Sequence, residues 1–354
     1  MWSSVDLFTG IGGFTVAFKD ICRPLLYCDK HPVVAGTLQH LMENRRIHRA
    51  PVVSDVKNVE DMRRIVAGRK VDLLTAGFPC TGFSVAGIRK GFDDSGSALF
   101  FDVLIVIKTL QPSLVMFENV PRVVTSNDGR DLTTIVAAMN KLGYESAWTL
   151  CSATDVDLPQ RRTRWFCLCR KQGADLPDIP HYVEPRRRTM PALLAPKTSN
   201  YEQRYFMLGN SVVPPAVRIA FHQLSAELSM SKIDPVPRDA RQWTIVLDPE
   251  HGPHTRPSSK LSTEEITDSY TIRRWPTPRA YAPRACNYLS ERNSQDLPTA
   301  ARFASSVNGK HMDKPRPGET VNIVFVEWLM GFPANWTIGA PEGSVRNGKT
   351  RAAL

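Results

Sequence analysis

Between Val5 and Arg170, short apolar runs rich in β-branched residues alternate with segments of helical length. That rhythm constrains the fold more than any other feature of the chain. A strand, a helix and a second strand in the same direction form a crossover unit, and repeated units build a mostly parallel sheet with helices on its faces. The spacing predicts strands at Ser4–Leu7, Leu25–Cys28, Val52–Ser54, Val71–Ala76, Leu114–Phe117, Ala147–Cys151 and Trp165–Cys169, and helices near 13–20, 32–43, 59–67, 98–110 and 130–142. With right-handed crossovers this is an α/β, doubly wound sheet, whose ligands gather at the carboxyl ends of the strands.

Proline marks where the regular pattern stops, because seven of the 27 prolines precede position 170 and 20 follow it. Beyond Arg170 lie a Pro/Arg-rich stretch, a helical pattern over 214–229 and, from about 232, many turn signals with little periodicity. At roughly 150 residues per domain the chain makes about two. The expected division is 1–230, with an irregular connector at about 171–205, and 231–354. No apolar run reaches the length of a membrane span, and Met1 leads into Trp2, Ser3 and Ser4 without the features of a secretory signal, so an intracellular protein is expected. Seven cysteines with no Cys-x-x-Cys pair suit a reduced compartment and suggest no metal site. A net charge of +10, shared between both halves, leans towards a polyanionic partner.

The first strand turns into the first helix through DLFTGIGGF, residues 6–14. Glycines there allow positive φ and close backbone approach, and the helix start offers free N–H groups to an anionic ligand. A purely structural tight turn has the same pattern. The second and third strands end in Asp29 and Asp55, each of which also suits a helix N-cap. Three consecutive strand ends carrying a Gly-rich turn and two carboxylates fit a nucleoside ligand, with Phe8 able to stack on its base.

The fourth strand breaks into GFPCTGFS at 77–84, which puts Cys80 on a Pro/Gly loop at a carboxyl edge, where a thiol is placed for attack. The next strand ends in Glu118, Asn119 and Val120, and QRRTR at 160–164 sets Arg162 and Arg164 on one face as a later strand begins.

DLFTGIGGF, GFPC at 77–80, ENV at 118–120, QRRTR and GNSVVPP at 209–215 together resemble the DNA (cytosine-5)-methyltransferases. The likeness covers about residues 3–170 and 205–220. It implies a class I, Rossmann-like methyltransferase fold with a smaller irregular target-recognition lobe, S-adenosylmethionine as cofactor and double-stranded DNA as partner, in a monomer. Cytosine C5 is a poor nucleophile, so in this chemistry a thiolate first adds at C6. Cys80, following Pro79, matches the thiolate; Glu118 matches the acid at N3, Asn119 shapes its turn, Arg164 holds O2 and Arg162 supports loop and base. The base must be flipped from the duplex. In the cofactor pocket Phe8 matches the adenine stack, Asp29 the ribose carboxylate and Asp55 a group near the adenine amine. Lys30 and Val56 fall beside them, Gly10, Gly12 and Gly13 at the methionine end, and Pro79, Leu99, Asn210 and Ser211 complete the pocket. Ser84, Arg89, Lys90 and Arg274 are expected at DNA. RNA-directed relatives share these motifs, as would a DNA-binding relative without catalysis; the C-terminal lobe favours duplex DNA.

The match has departures. Only 44 residues separate Arg164 from Gly209, too few for the family's recognition region, whereas Phe325–Trp336 resembles a motif that ordinarily precedes GNSVVPP. The layout is that of many phage and viral members, with target recognition moved to the C-terminus. The segment Asp94–Phe100 lacks a common arginine, and Lys30 stands where the family often has an apolar residue.

Overall fold

The computed structural model describes residues 1–79, 99–160, 162–174, 194–230, 319–341, 343–346 and 349–352. In chain order the strands are β1 Trp2–Leu7, β2 Cys22–Cys28, β3 Val52–Val53, β4 Leu73–Ala76, β5 Leu114–Asn119, β6 Tyr144–Ser152, β7 Thr163–Lys171, β8 Leu194–Pro196, β9 Glu319–Val321, β10 Gly343–Arg346 and β11 Lys349–Ala352. The α-helices are α1 Gly13–Ala17, α2 Pro32–Glu43, α3 Val59–Val66, α4 Leu99–Leu110, α5 Arg130–Lys141, α6 Tyr201–Asn210, α7 Pro214–Met230 and α8 Ile323–Leu329.

Seven strands form one sheet in the order β3-β2-β1-β4-β5-β7-β6. The first five run parallel, β7 runs antiparallel to β5, and β6 antiparallel to β7. The sheet is therefore the mostly parallel, doubly wound one expected, and its strand order reverses between β1 and β4, where such sheets open a ligand crevice. The parallel strands are nearly continuous apolar runs because both their faces are covered.

Side chains alternate between the two faces with period two. Leu73, Leu114, Met116, Phe166 and Leu168 join a core closed by Phe14 of α1, Leu38 and Leu41 of α2, Tyr205 and Leu208 of α6, Val217 and Phe221 of α7, and Phe325 and Leu329 of α8. Leu74, Val115, Phe117, Trp165 and Cys167 point the other way, onto Val66 of α3, Phe100, Val103 and Ile107 of α4, and Ile135 and Met139 of α5.

Residues 319–341, expected from the sequence in the C-terminal lobe, run along this first face. β9 pairs antiparallel with β8. Glu327 of α8 is fully buried and accepts from Arg204 Nη2 at 3.1 Å and from Thr337 N and Oγ1 at 2.8 and 2.6 Å. Asn200 Nδ2 donates to the carbonyls of Ile338 and Ala340 at 3.2 and 2.9 Å. Helix α6 begins within the last residues of the stretch read as irregular connector, about 171–205, and runs five residues beyond it; its buried face includes Gln203 and Arg204, which blur the apolar period.

Gly339 packs so closely on α2 that a Cβ there would fall 2.1 Å from His40 Cγ and 2.4 Å from His40 Cβ, atoms too near the backbone to swing aside. Gly339→Ala is expected to destabilise the fold by about 1–3 kcal/mol, as overpacking does, measured as a lower urea midpoint with an unchanged slope.

Candidate active site

The carboxyl ends of β1, β2, β4 and β5 hold the residues singled out in the sequence. After β1 the chain makes a tight turn in which Phe8, Gly10 and Gly12 all have positive φ, at 53°, 54° and 79°. Such values favour glycine at two of the three positions and strain Phe8. Gly13 lies against the 211–212 backbone, where a Cβ would meet Val212 Cγ2 at 2.5 Å and Val212 O at 3.3 Å. GIGG and GNSVVPP thus pack directly on each other, although nearly two hundred residues separate them.

Asp6, quoted in the motif but given no role, sits under this turn. It is buried and accepts from Thr15 Oγ1 at 3.0 Å and Thr75 Oγ1 at 2.8 Å. Burial pushes its carboxyl up to about 7, against the two hydroxyls and with some help from Asp29.

Asp29 bridges the turn to the start of α2, accepting from Gly10 N at 2.9 Å and His31 N at 2.8 Å. Burial raises its pKa, and those two N–H groups oppose the rise. Lys30 is exposed and pairs with Asp55 at 3.2 Å. Asp55 also accepts from Lys57 N at 3.0 Å, and that bond, with Lys30, holds its carboxyl below the usual range despite partial burial. Val56 is buried in the second core, where Phe8 and Leu99 pack half-buried. Asn210 is exposed at the end of α6, and the buried Ser211 donates to Val212 O at 3.1 Å.

At the chemical end, Gly77, Phe78 and Pro79 leave β4 beside the end of β5. Asn119 ties the two, donating to Phe78 O at 3.3 Å and accepting from Val120 N at 2.8 Å. Glu118 accepts from Arg164 Nε at 3.1 Å, and both side chains are largely buried. The pair meets because β7 runs antiparallel to β5, which brings the beginning of one strand to the end of the other. Burial raises the Glu118 pKa, while the charges of Arg164 and then Arg162 pull it down. Arg162 lies just before β7 and donates to the carbonyls of Gly209, at 3.3 Å, and Ser211, so the two arginines serve different partners.

The site thus holds a carboxyl group poised to keep or give a proton beside a fixed guanidinium, together with a glycine-lined turn and a carboxylate suited to hydroxyl groups. Cys80, Ser84, Arg89, Lys90 and Arg274 lie outside the described residues. A cleft of about 440 Å³ lies instead near the amino-terminal edge of the sheet, lined by Arg23, Arg49 and Arg69, and one of about 660 Å³ lies between α1 and the end of α2, lined by Lys19, Arg45, Arg46, Arg49 and Trp336. Among the described residues no group of three or more His, Cys, Asp and Glu side chains could hold a metal ion, and no helix is long and apolar enough to cross a membrane.

Residues 2–195, more than half of the chain, match the model of the family described as C-5 cytosine-specific DNA methylase. The type II methyltransferase M.CviJI of Paramecium bursaria Chlorella virus IL3A is 25% identical over 93% of this chain and 96% of its own length. The type II methyltransferase M.HhaI of Haemophilus parahaemolyticus is 30% identical over 49% of this chain. The chain spans about half the length of that bacterial relative. Among solved structures, a putative DNA modification methyltransferase encoded in an E. coli prophage aligns over 96% of this chain and 97% of its own at 17% identity, with a TM-score of 0.45.

Asp6 keeps in the fold a proton that an unfolded aspartate releases near pH 4. The stability this confers is complete below about pH 4 and is lost as pH rises towards about 7. Asp6→Asn is expected to flatten the decline in unfolding free energy, measured by urea titration, between pH 5 and 7, a slope of at most ~1.4 kcal/mol per pH unit for one proton. An unchanged slope in the variant would show that another group sets it.

Proposed function

The chain belongs to the C-5 cytosine-specific DNA methylase family, and on that footing we propose that it moves a methyl group from S-adenosylmethionine to C5 of a cytosine flipped out of duplex DNA. The observation that carries this reading is the buried Glu118–Arg164 pair, held beside the Gly77–Pro79 turn that leads into Cys80.

The turn after β1 fits the cofactor. Its left-handed glycines leave room where side chains would stand, and Asp29 is held by backbone N–H groups on either side of it. Gly10, Gly12 and Gly13 would line the methionine end and Asp29 would accept from the ribose hydroxyls. Phe8, Lys30, Asp55 and Val56 would surround adenine, with Pro79, Leu99, Asn210 and Ser211 completing the pocket. Bound there, S-adenosylmethionine supplies an electrophilic methyl group on a sulfonium.

The residues divide the chemistry as follows. Cys80, as thiolate, bonds to cytosine C6, and the π electrons displaced from the C5–C6 bond become available at C5. Glu118, whose carboxyl holds its proton more tightly than an exposed glutamate, gives that proton to N3 and so neutralises the ring as it accepts the sulfur. Arg164 faces O2 and orients Glu118, and Arg162 fixes the 209–211 backbone. Once the methyl group is on C5, the C5 proton is lost to a base, the Cys80 thiolate departs as the C5–C6 double bond re-forms, and N3 returns its proton to the Glu118 carboxylate, which restores the enzyme. Target recognition is assigned to the region from residue 231 onward, of which 319–341 is engaged with the sheet; Ser84, Arg89, Lys90 and Arg274 are assigned to DNA.

Incubation with methyl-labelled S-adenosylmethionine and duplex DNA should label DNA at cytosine C5. Cys80→Ala should abolish transfer while cofactor binding survives, and Glu118→Gln should slow it by about 10²–10⁴-fold, the usual worth of a general acid. Label in tRNA alone would assign the chain to RNA, and label in neither would leave a binding protein. Transfer retained by Cys80→Ala would remove the nucleophile.

A further inference from the structure

The turn from Phe8 to Gly12 carries three left-handed residues in five positions, so its shape depends on outside support. Most of that support is local. Thr9 Oγ1 donates to Asp6 O at 2.7 Å, Gly12 N to Thr9 O at 2.9 Å, Thr9 N to Cys28 O at 3.0 Å and Gly10 N to Asp29 Oδ2 at 2.9 Å. One support comes from the far end of the chain. The indole N–H of Trp336 donates to Ile11 O at 2.7 Å, and both residues are buried.

Trp336 is itself fixed from its other side. The Arg46 guanidinium lies 5.0 Å from the indole centroid, and its two terminal nitrogens donate to Ala334 O and Asn335 O, each at 3.1 Å. The Phe332 ring centroid is 5.9 Å from that of Trp336. Packing alone asks only for a large aromatic ring; the directed N–H bond onto a carbonyl in the middle of the turn asks for an indole.

We propose that Trp336 is a positioning residue for the cofactor turn: by holding the Ile11 carbonyl it keeps Gly10 and Gly12 in the binding conformation, and Arg46 latches it there. The inference rests on the S-adenosylmethionine reading of that turn. Without the indole donor the buried Ile11 carbonyl loses its partner, and the peptide is free to rotate in search of another. The fraction of molecules with a competent turn falls, and the apparent dissociation constant rises by the inverse of that fraction.

The test uses the full chain as wild type, Trp336→Phe and Arg46→Met, with three readouts: S-adenosylmethionine affinity by calorimetry, the melting temperature without ligand, and steady-state rates on duplex DNA. Trp336→Phe keeps the ring and loses the donor. It should raise the S-adenosylmethionine dissociation constant and KM about three- to tenfold, leaving kcat at saturating cofactor and KM for DNA within about twofold. Arg46→Met, which leaves the core untouched, should shift cofactor affinity in the same direction by less. A lower melting temperature with unchanged cofactor affinity in Trp336→Phe would reduce the residue to core filling and overturn the inference alone. Should Trp336→Phe fail to fold, unchanged affinity in Arg46→Met would overturn it. Failure of the wild type to bind S-adenosylmethionine would overturn both this inference and the function proposed above.

Discussion

A parallel sheet has to be covered on both faces, and in this molecule that requirement decides which parts of the chain belong together. The face carrying Val115, Phe117 and Trp165 is closed by α3, α4 and α5, all contributed before residue 142. The face carrying Leu114, Met116, Phe166 and Leu168 receives from the same half only the five-residue α1 and the twelve-residue α2. Its remaining cover is α6, α7 and residues 321–340. At about 1.5–3 kcal/mol for each large apolar side chain left in water, this half-covered face could not stand alone. The sheet, α6, α7 and residues 321–340 therefore form one thermodynamic unit.

The same sheet gathers carboxylates at one edge, where each meets a different answer to the same desolvation. Asp6 has only hydroxyl partners, which serve either protonation state, so burial prevails and the proton stays near neutral pH. Asp29 meets backbone N–H groups, which favour the ionised form and oppose the rise that burial makes. Glu118 meets guanidinium charges, which moderate a rise that burial alone would make larger. Three acids within one strand-end row thus differ through their neighbours alone: one faces hydroxyls, one backbone N–H groups and one guanidinium charges.

How much of this was legible depended on whether the signal was local. Strands β1 to β5 announce themselves because each is a short apolar run between turn residues, and the helices between them keep a clean period. The strand ends that carry the glycine turn, Asp29, Asp55 and Glu118 follow from that pattern, since a parallel sheet sends them all to one edge. The Glu118–Arg164 contact did not follow, because it needs β7 to run antiparallel to β5, and nothing in the residues of a strand states its direction. Asp6 was visible as a motif letter but silent as a buried acid, for its burial comes from strands on both sides. The bond from Trp336 to Ile11 joins positions 325 apart and leaves no periodic trace at all.

Long-range contacts also join segments that lie far apart in the chain. Residues 319–341 come last of the described core pieces and α6 comes well before them, yet Asn200, at the head of α6, bonds the carbonyls of Ile338 and Ala340. The end of one piece therefore lies at the beginning of the other. Chain joined across that point, with the link after α7 opened instead, would reach the same packing with α8 ahead of α6. Burial and hydrogen bonding act between surfaces and are indifferent to which covalent link supplied them; connectivity enters mainly through loop-closure entropy, which grows only with the logarithm of loop length. The stretch between α7 and β9 can consequently be long at little expense to the sheet, provided β9 returns to pair with β8 and Trp336 returns to the turn after β1.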